Sequence, residues 1–205
     1  MMNNLQVTFN KKTRLFDEVR LIAAHQYYKE SRHDRSFGKT SINEQFEKLS
    51  ILSFNLDFDK KFDKDKELIY YGFEFVNNNI TSNARTRNIL TEIITPAGSR
   101  YPDGDNKYLS YSFYTGYKNN LTEKIILNTG IRYSHVSLNS TIADNSYYNF
   151  PFTAISISNG AITGAAGVVF RVKDNMQINL NTSTWAFQKI LQKFSISISQ
   201  GSIPG

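Results

Sequence analysis

The sequence predicts an all-β protein of antiparallel up-and-down strands, of the kind that forms a membrane-spanning barrel, and three observations carry that prediction. Period-two alternation of apolar and polar residues recurs in successive stretches of the chain. The alternating stretches outrun the roughly five or six residues usual in globular sheets. The connections between them are short and long in turn. The clearest case is the hairpin from Leu49 to Asn83. Its first strand sets Leu52, Phe54, Leu56 and Phe58 on one face against Ser53, Asn55 and Asp57 on the other. Its return strand sets Ile69, Tyr71, Phe73 and Phe75 against Gly72 and Glu74. Between them Asp59 to Lys66 is nearly all charge, with Phe62 as the exception. Soluble sandwich strands also alternate. Strands of about ten residues with an unbroken apolar row suit a tilted, bilayer-spanning barrel.

Composition narrows the classes. The 205 residues hold 12 Tyr, 15 Phe, 4 Pro and no Cys. No apolar run approaches the roughly 18 residues of a membrane helix. A mean hydropathy of -0.42 fits a barrel, in which only every second strand residue meets lipid. Without Cys there are no disulfides, thiolate metal sites or cysteine nucleophiles. The net charge is +6. The Lys and Arg are spread through turns and loops with no recognition motif, so nucleic acid is not an expected partner. Met1 to Gln6 has no basic n-region or apolar h-region, which leaves two expectations. Either the chain is not exported or it starts inside a longer protein.

In chain order, Leu5 to Phe9 is a short strand and residues 10–14 a polar turn. Glu18 to Ser31 is a long strand that sets Val19, Leu21 and Ala23 against Arg20, but Ile22 and Ala24 blur it. A helix over Phe16 to Tyr28 is its rival, because Ala and Leu favour helix. Arg32 to Asn43, with Gly38, reads as a loop. The opening hairpin occupies Glu47 to Asn83, and Ala84 to Lys107 is a long polar connection. Within it Pro102-Asp103-Gly104 is turn chemistry. Tyr108 to Tyr117 and Lys124 to Leu138 are strands about the turn Lys118 to Asn120. Asn139 to Asn149 is a polar loop. Ile162 to Val172 is a strand, Lys173 to Asn175 a tight turn, and Met176, Ile178 and Leu180 oppose Gln177, Asn179 and Asn181 in the strand that follows. Short connections fall near residues 11–14, 60–66, 118–122 and 173–175; long ones fall near 32–44, 84–107 and 139–158. About eight strands result, with the short periplasmic turns and long external loops of an outer-membrane barrel.

Little in the chain reads as catalytic. His25, His33 and His135 lie far apart without His-x-x-x-His spacing, so no metal site is expected. His33, placed in a loop, is the one histidine positioned to touch an iron-bearing ligand; solvation is its ordinary role. Glu30, Asp34, Asp103 and Asp105 read as solvated loop acids. Asp57, Glu74, Arg132 and Arg171 fall on polar faces, where they line or pair within a barrel lumen. No nucleophile elbow, P-loop or dinucleotide fingerprint occurs, so no enzyme and no cofactor is expected. No ligand-binding residue is singled out.

Several stretches, in order, resemble the barrel of TonB-dependent outer-membrane receptors, particularly the Bacteroidetes type. They are Gln26 to Gly38, Ser53 to Lys60, Tyr71 to Ala84, Arg100 to Gly104, Gly130 to Ser134, Phe150 to Phe152 and Asn181 to Thr184. The resemblance covers roughly residues 15–184. It implies part of a barrel of about 22 strands closed by a plug domain. It further implies an outer-membrane location in contact with lipid, a scarce ligand such as a ferric siderophore or haem, and energy delivered by a TonB complex. No plug, TonB box or signal peptide is recognised in the chain.

The expected division is a partial receptor barrel over residues 1–184 and a divergent tail over 185–205. After Asn181 to Thr184 the family pattern is lost at Trp185 to Phe194, and another reading frame of the back-translated tail restores much of it. One inserted base after the Thr184 codon accounts for this. The alternative is a further natural strand, since Phe194, Ile196 and Ile198 alternate. Two other readings of the whole remain: a complete small outer-membrane barrel, and a soluble β-barrel or sandwich binding an apolar ligand.

Overall fold

The computed structural model describes residues 1–62, 66–173 and 175–184, and the backbone of 193–200. Ten strands are found among them: β1 Met2–Asn10, β2 Glu18–Asp34, β3 Ser41–Phe62, β4 Glu67–Asn88, β5 Ile94–Pro96, β6 Gly104–Asn120, β7 Ile125–Thr141, β8 Ala154–Lys173, β9 Met176–Ser183 and β10 Lys193–Gln200. They form one open antiparallel sheet in the order β1-β2-β3-β4-β6-β7-β8-β9-β10, with β5 paired to the upper part of β4. Every neighbour on that path except β4 and β6 is also a neighbour in sequence, so the meander is up-and-down. The fold is the all-β antiparallel one expected, and the sheet is not closed.

The strand over Glu18 prevails against the helix. Ile22 and Ala24, which blur its alternation, face Asn55 and Ser53 of β3 on the polar side of the sheet. A small or apolar residue on that side breaks the pattern without breaking the strand.

The long strands exceed the expected ones mainly at the long-loop end, though β3 also runs on to Phe62 and β6 takes in the expected turn Lys118 to Asn120, so that turn falls at residues 121–124. β3 and β4 each run 22 residues and β8 runs 20. The loop expected over Arg32 to Asn43 shrinks to residues 35–40, so Glu30, His33 and Asp34 are strand residues of β2. The connection over Ala84 to Lys107 is half strand: β4 continues to Asn88, β5 follows, and β6 starts at Gly104, which takes Asp105 into the sheet. The connection near 139–158 contracts to residues 142–153. These extensions are mostly polar, with Ile42, Phe46, Ile155 and Ile157 as exceptions. Away from the bilayer both faces are wet, so the alternation vanishes while the backbone ladder continues.

Register aligns the apolar row across the sheet. Val7, Leu21, Leu56, Phe73, Phe113, Tyr133 and Ile162 are successive Cα partners from β1 to β8. One row nearer the long loops runs Leu5, Ala23, Phe54, Phe75, Tyr111 and His135; one row nearer the short turns runs Phe9, Val19, Phe58, Tyr71, Thr115 and Ile131. Rings bind neighbouring strands: Phe58 stacks on Tyr71 at 4.9 Å and Phe73 meets Phe113 at 4.9 Å. This face is open, with Phe113 53 % exposed and Ile131 equally so. On β6 the row from Leu109 to Tyr117 covers nine residues, which is about 20–25 Å of height for a strand tilted by about 40°. Tyr111 lies toward its upper margin and Tyr71 and Tyr117 toward its lower one, the positions of aromatic girdles.

Of the tail division at Thr184, residues 185–192 and 201–205 lie outside the described residues. The backbone of Lys193–Gln200 pairs antiparallel with β9, from Lys193 opposite Ser183 to Gln200 opposite Met176.

Candidate functional site

The opposite face of the sheet is polar and carries the charged residues the sequence placed there. Asp57, Gly72, Tyr114, Arg132 and Thr163 are successive partners across β3, β4, β6, β7 and β8. The Tyr114 hydroxyl donates to the Asp57 carboxylate, and the Arg132 guanidinium donates to Glu74. Arg132 Nε also donates to Ser134 Oγ at 3.0 Å, and Ser112 Oγ to the same hydroxyl at 3.1 Å. The Arg132 guanidinium lies over the Tyr114 ring at 5.9 Å, which brings Asp57, Glu74 and Arg132 into one network. Arg171 does not reach it; its guanidinium lies 3.5 Å from the Glu123 carbonyl near the short turns. An open depression of about 510 Å³ lies beside the network, lined by Tyr70, Tyr114, Arg132, Thr163 and Ser183 among others. Such a wall suits a water-filled lumen.

Two tyrosines lie flat across glycines on this wall. Tyr70 is the partner of Gly116, and Gly72 the partner of Tyr114. The repeated spacing Tyr70-x-Gly72 and Tyr114-x-Gly116 on antiparallel neighbours sets each ring over the other strand's glycine. A Cβ on Gly116 would fall into the Tyr70 ring, and a Cβ on Gly72 would meet the Tyr114 ring and, at 2.6 Å, the Leu56 carbonyl oxygen. The Tyr70 hydroxyl reaches on to Asn128 Oδ1 at 3.4 Å. The Tyr-x-Gly repeat was the legible signal for this arrangement.

The long-loop end holds two ionic clusters. On the outward side Glu44, eight residues beyond Leu52 and clear of the apolar band, is buried with its side chain 4 % exposed. Arg85 Nε donates to it at 2.6 Å, Arg87 Nη2 lies at 3.2 Å and His33 Nδ1 at 3.4 Å. The hydrogen bond from Arg85 holds the Glu44 carboxyl below the usual range, Arg87 adds to this, and burial opposes it. Its lowered folded-state pKa means that Glu44 contributes stability above the ordinary glutamate range and loses it as pH falls through the folded-state value. Stability is therefore expected to drop below about pH 4, and Glu44→Gln to remove that part of the dependence. Amide exchange of β3 before residue 50 and of β4 beyond residue 80, at pH 7 and pH 3, checks this; an unchanged difference in the variant rules it out.

On the lumenal side Arg32 lies 3.0 Å from Glu30 and 3.6 Å from the buried Glu47, and Arg100 lies 3.8 Å from Glu30. Gln45 Nε2 donates to the Gly98 carbonyl at 3.1 Å. Residues 97–103 are thereby tied down over this face. Gly104, with φ of 129°, takes a conformation that L side chains rarely adopt, and a Cβ there would lie 2.5 Å from the Thr141 carbonyl oxygen. Ala143 N donates to the Asp103 carbonyl at 2.6 Å, joining this segment to the loop after β7. Burial, and then Asp144, push the Asp103 carboxyl up.

The three histidines stay apart. His25 contacts Ser50 Oγ, His135 stacks on Tyr111 at 5.0 Å, and His33 lies edge-on to Phe46 at 5.6 Å. Among the described residues no three His, Asp or Glu side chains gather as a metal site.

This two-faced sheet, with a banded apolar side and a polar side under long loops, matches the family model for the β-barrel of TonB-dependent receptor-like proteins over residues 2–188. The chain belongs to this family. Its fold is similar to three solved members of that barrel type. The copper transporter OprC superposes with a TM-score of 0.74 at 10% identity, over 89% of this chain and 29% of that one. The ferric citrate transporter FecA in its unliganded form gives 0.69 at 14%, over 89% and 26%. The ferric yersiniabactin uptake receptor FyuA from Yersinia pestis gives 0.67 at 14%, over 95% and 30%. This member of the TonB-dependent receptor family thus spans under a third of the length of those chains. No curated protein matches it by sequence.

Proposed function

We propose that the chain is a section of an outer-membrane receptor that imports a scarce ligand, an iron chelate such as a ferric siderophore or haem, with energy delivered by a TonB complex. The observation that carries this reading is the division of one sheet into a lipid-suited apolar band and a polar wall of Asp57, Glu74, Tyr114 and Arg132. Transport through a protein needs both faces at once, and ligand capture needs the loops at one end. The names of two similar structures, for ferric citrate and ferric yersiniabactin, favour iron chelates, and copper is the cargo named for the third. Transport is the function of the receptor of which the chain is a section.

The chain by itself does not transport. About ten strands cannot enclose the lumen of a barrel of about 22, and open edges leave unpaired backbone groups in lipid at several kcal/mol each. Uptake of radiolabelled ferric chelates by iron-starved cells tests this. Cells carrying only these 205 residues are expected to take up no more label than empty cells. Uptake restored by this chain alone would refute the reading as a section. The break after Thr184 belongs to the same proposal: one inserted base replaces the family sequence, and the DNA downstream is expected to continue the barrel in a shifted frame.

A further inference from the structure

The turn between β1 and β2 folds back over the lower margin of the apolar face. Phe16 sits 5.9 Å from Phe58 and 6.5 Å from Phe9 between ring centroids. Phe9 and Phe58 both belong to the outward row nearest the short turns. The Tyr71 hydroxyl, from the same row, donates to the Leu15 carbonyl at 3.1 Å. These contacts set Leu15 and Phe16 on the lipid-suited side of the sheet.

The turn is held in that position. Thr13 N donates to the Phe16 carbonyl at 2.8 Å, and the Thr13 hydroxyl donates to the same carbonyl at 2.7 Å. That hydroxyl also accepts from Phe16 N at 3.0 Å and from Leu15 N at 3.3 Å. Lys60 Nζ donates to the Thr13 carbonyl at 2.7 Å and pairs with Asp17 at 2.8 Å. Asp17, the one acid of residues 11–17, is therefore taken up by β3. Lys11, Lys12 and Arg14 stand exposed around it, and Lys11 and Arg14 make no ion pair among the described residues.

The turn thus presents a bare apolar side chain and three cations together. Leu15 is 69 % exposed and continues the apolar band past Phe58 and Tyr71. An apolar side chain at acyl level with cations at headgroup level is the arrangement of an interfacial anchor. The turn at residues 121–124 differs. Leu121 is exposed there too, but the single cation Lys124 adjoins Glu123, and the charges cancel.

We propose that the β1–β2 turn is a lipid site. Lys11, Lys12 and Arg14 hold the phosphate of an anionic phospholipid in the leaflet at the short turns, with its acyl chains against Leu15 and Phe16. A zwitterionic headgroup offsets its phosphate with its own amine, so three cations without a free acid select the anionic kind. This rests on the membrane placement of the apolar band and is independent of which ligand the receptor imports.

Native mass spectrometry of the full chain, released from maltoside micelles, counts bound lipids during titration with phosphatidylglycerol or phosphatidylcholine of the same acyl chains. Circular dichroism checks the fold of each variant. Phosphatidylglycerol is expected to bind at least about tenfold more tightly, and added salt to narrow the gap. Lys11→Gln combined with Arg14→Gln is expected to weaken phosphatidylglycerol about tenfold and to leave phosphatidylcholine unchanged. Lys118→Gln combined with Arg171→Gln removes the same charge from the polar face and is expected to change neither. Leu15→Ser is expected to weaken both lipids, because acyl contact is common to them. Equal affinity for the two lipids, a Lys11 and Arg14 variant that keeps phosphatidylglycerol, a polar-face control that loses it as much, or Leu15→Ser without effect overturns the site. Displacement of phosphatidylglycerol by an equal concentration of glycerol phosphate means a site for free phosphate and overturns the lipid assignment. Binding of neither lipid also overturns the site; arginine in place of Phe113 in the apolar band then judges the membrane placement separately.

Discussion

Arginine in place of Phe113 is expected to destabilise the chain in a phospholipid bilayer by about 2–4 kcal/mol. Phe113 lies in the middle row of the apolar band, between Phe73 and Tyr133, and is 53 % exposed. In lipid that exposure is contact with acyl chains, and a guanidinium there must be dragged to an interface or left unsolvated. In water the same exposure means a half-wet ring, and arginine would be neutral within about 0.5 kcal/mol. The size of the effect therefore separates the membrane reading from a soluble β-sandwich. Ala165 provides the internal control. It is exposed on the polar face, opposite Gly130 and Ser183, and Ala165→Arg is expected to change stability by under about 0.5 kcal/mol in the same bilayer. Guanidinium titrations in phosphatidylcholine vesicles give both numbers. A tolerated Phe113→Arg, together with a chain that stays soluble without detergent, would sink the membrane reading.

The apolar rows were legible because lipid demands them. Leu52 to Phe58 and Ile69 to Phe75 alternate without a break, and the register pairs Leu56 with Phe73 and Phe58 with Tyr71 as the sequence pattern implies. Outside the band the demand ceases. Arg85, Arg87, Glu44 and His33 form a strand-borne ionic cluster in stretches that read as loop or loop margin, because polar residues on both faces leave no period to detect. The lumenal pairs were half legible. Polar faces could be assigned to Asp57, Glu74 and Arg132, but the partners depend on register across three strands, which single-strand patterns do not fix.

The two tyrosine–glycine contacts should respond differently to the same substitution. Gly72→Val is expected to cost about 1–3 kcal/mol, the range for forcing extra atoms into a closed contact. Its Cβ meets two obstacles, the Tyr114 ring and the Leu56 carbonyl oxygen at 2.6 Å. A side chain can swing away, at the loss of its bond to Asp57, but a carbonyl in the β3–β4 ladder moves only with the strand. At Gly116 the three atoms nearest an added Cβ all belong to the Tyr70 side chain. Tyr70→Ala should therefore relieve Gly116→Val almost completely, whereas Tyr114→Ala should relieve Gly72→Val only in part. In double-mutant cycles the coupling should approach the full cost of the valine at Gly116 and fall well short of it at Gly72. Denaturant midpoints of the single and double variants in detergent micelles provide the cycles. Equal relief at both sites would remove the Leu56 carbonyl from the account, and valines without cost would show that neither ring rests on its glycine. The contrast matters for the wall as a whole. Where a ring makes the nearest contacts, the lumen can be recut by changing one side chain; where a carbonyl stands among them, the sheet fixes its shape.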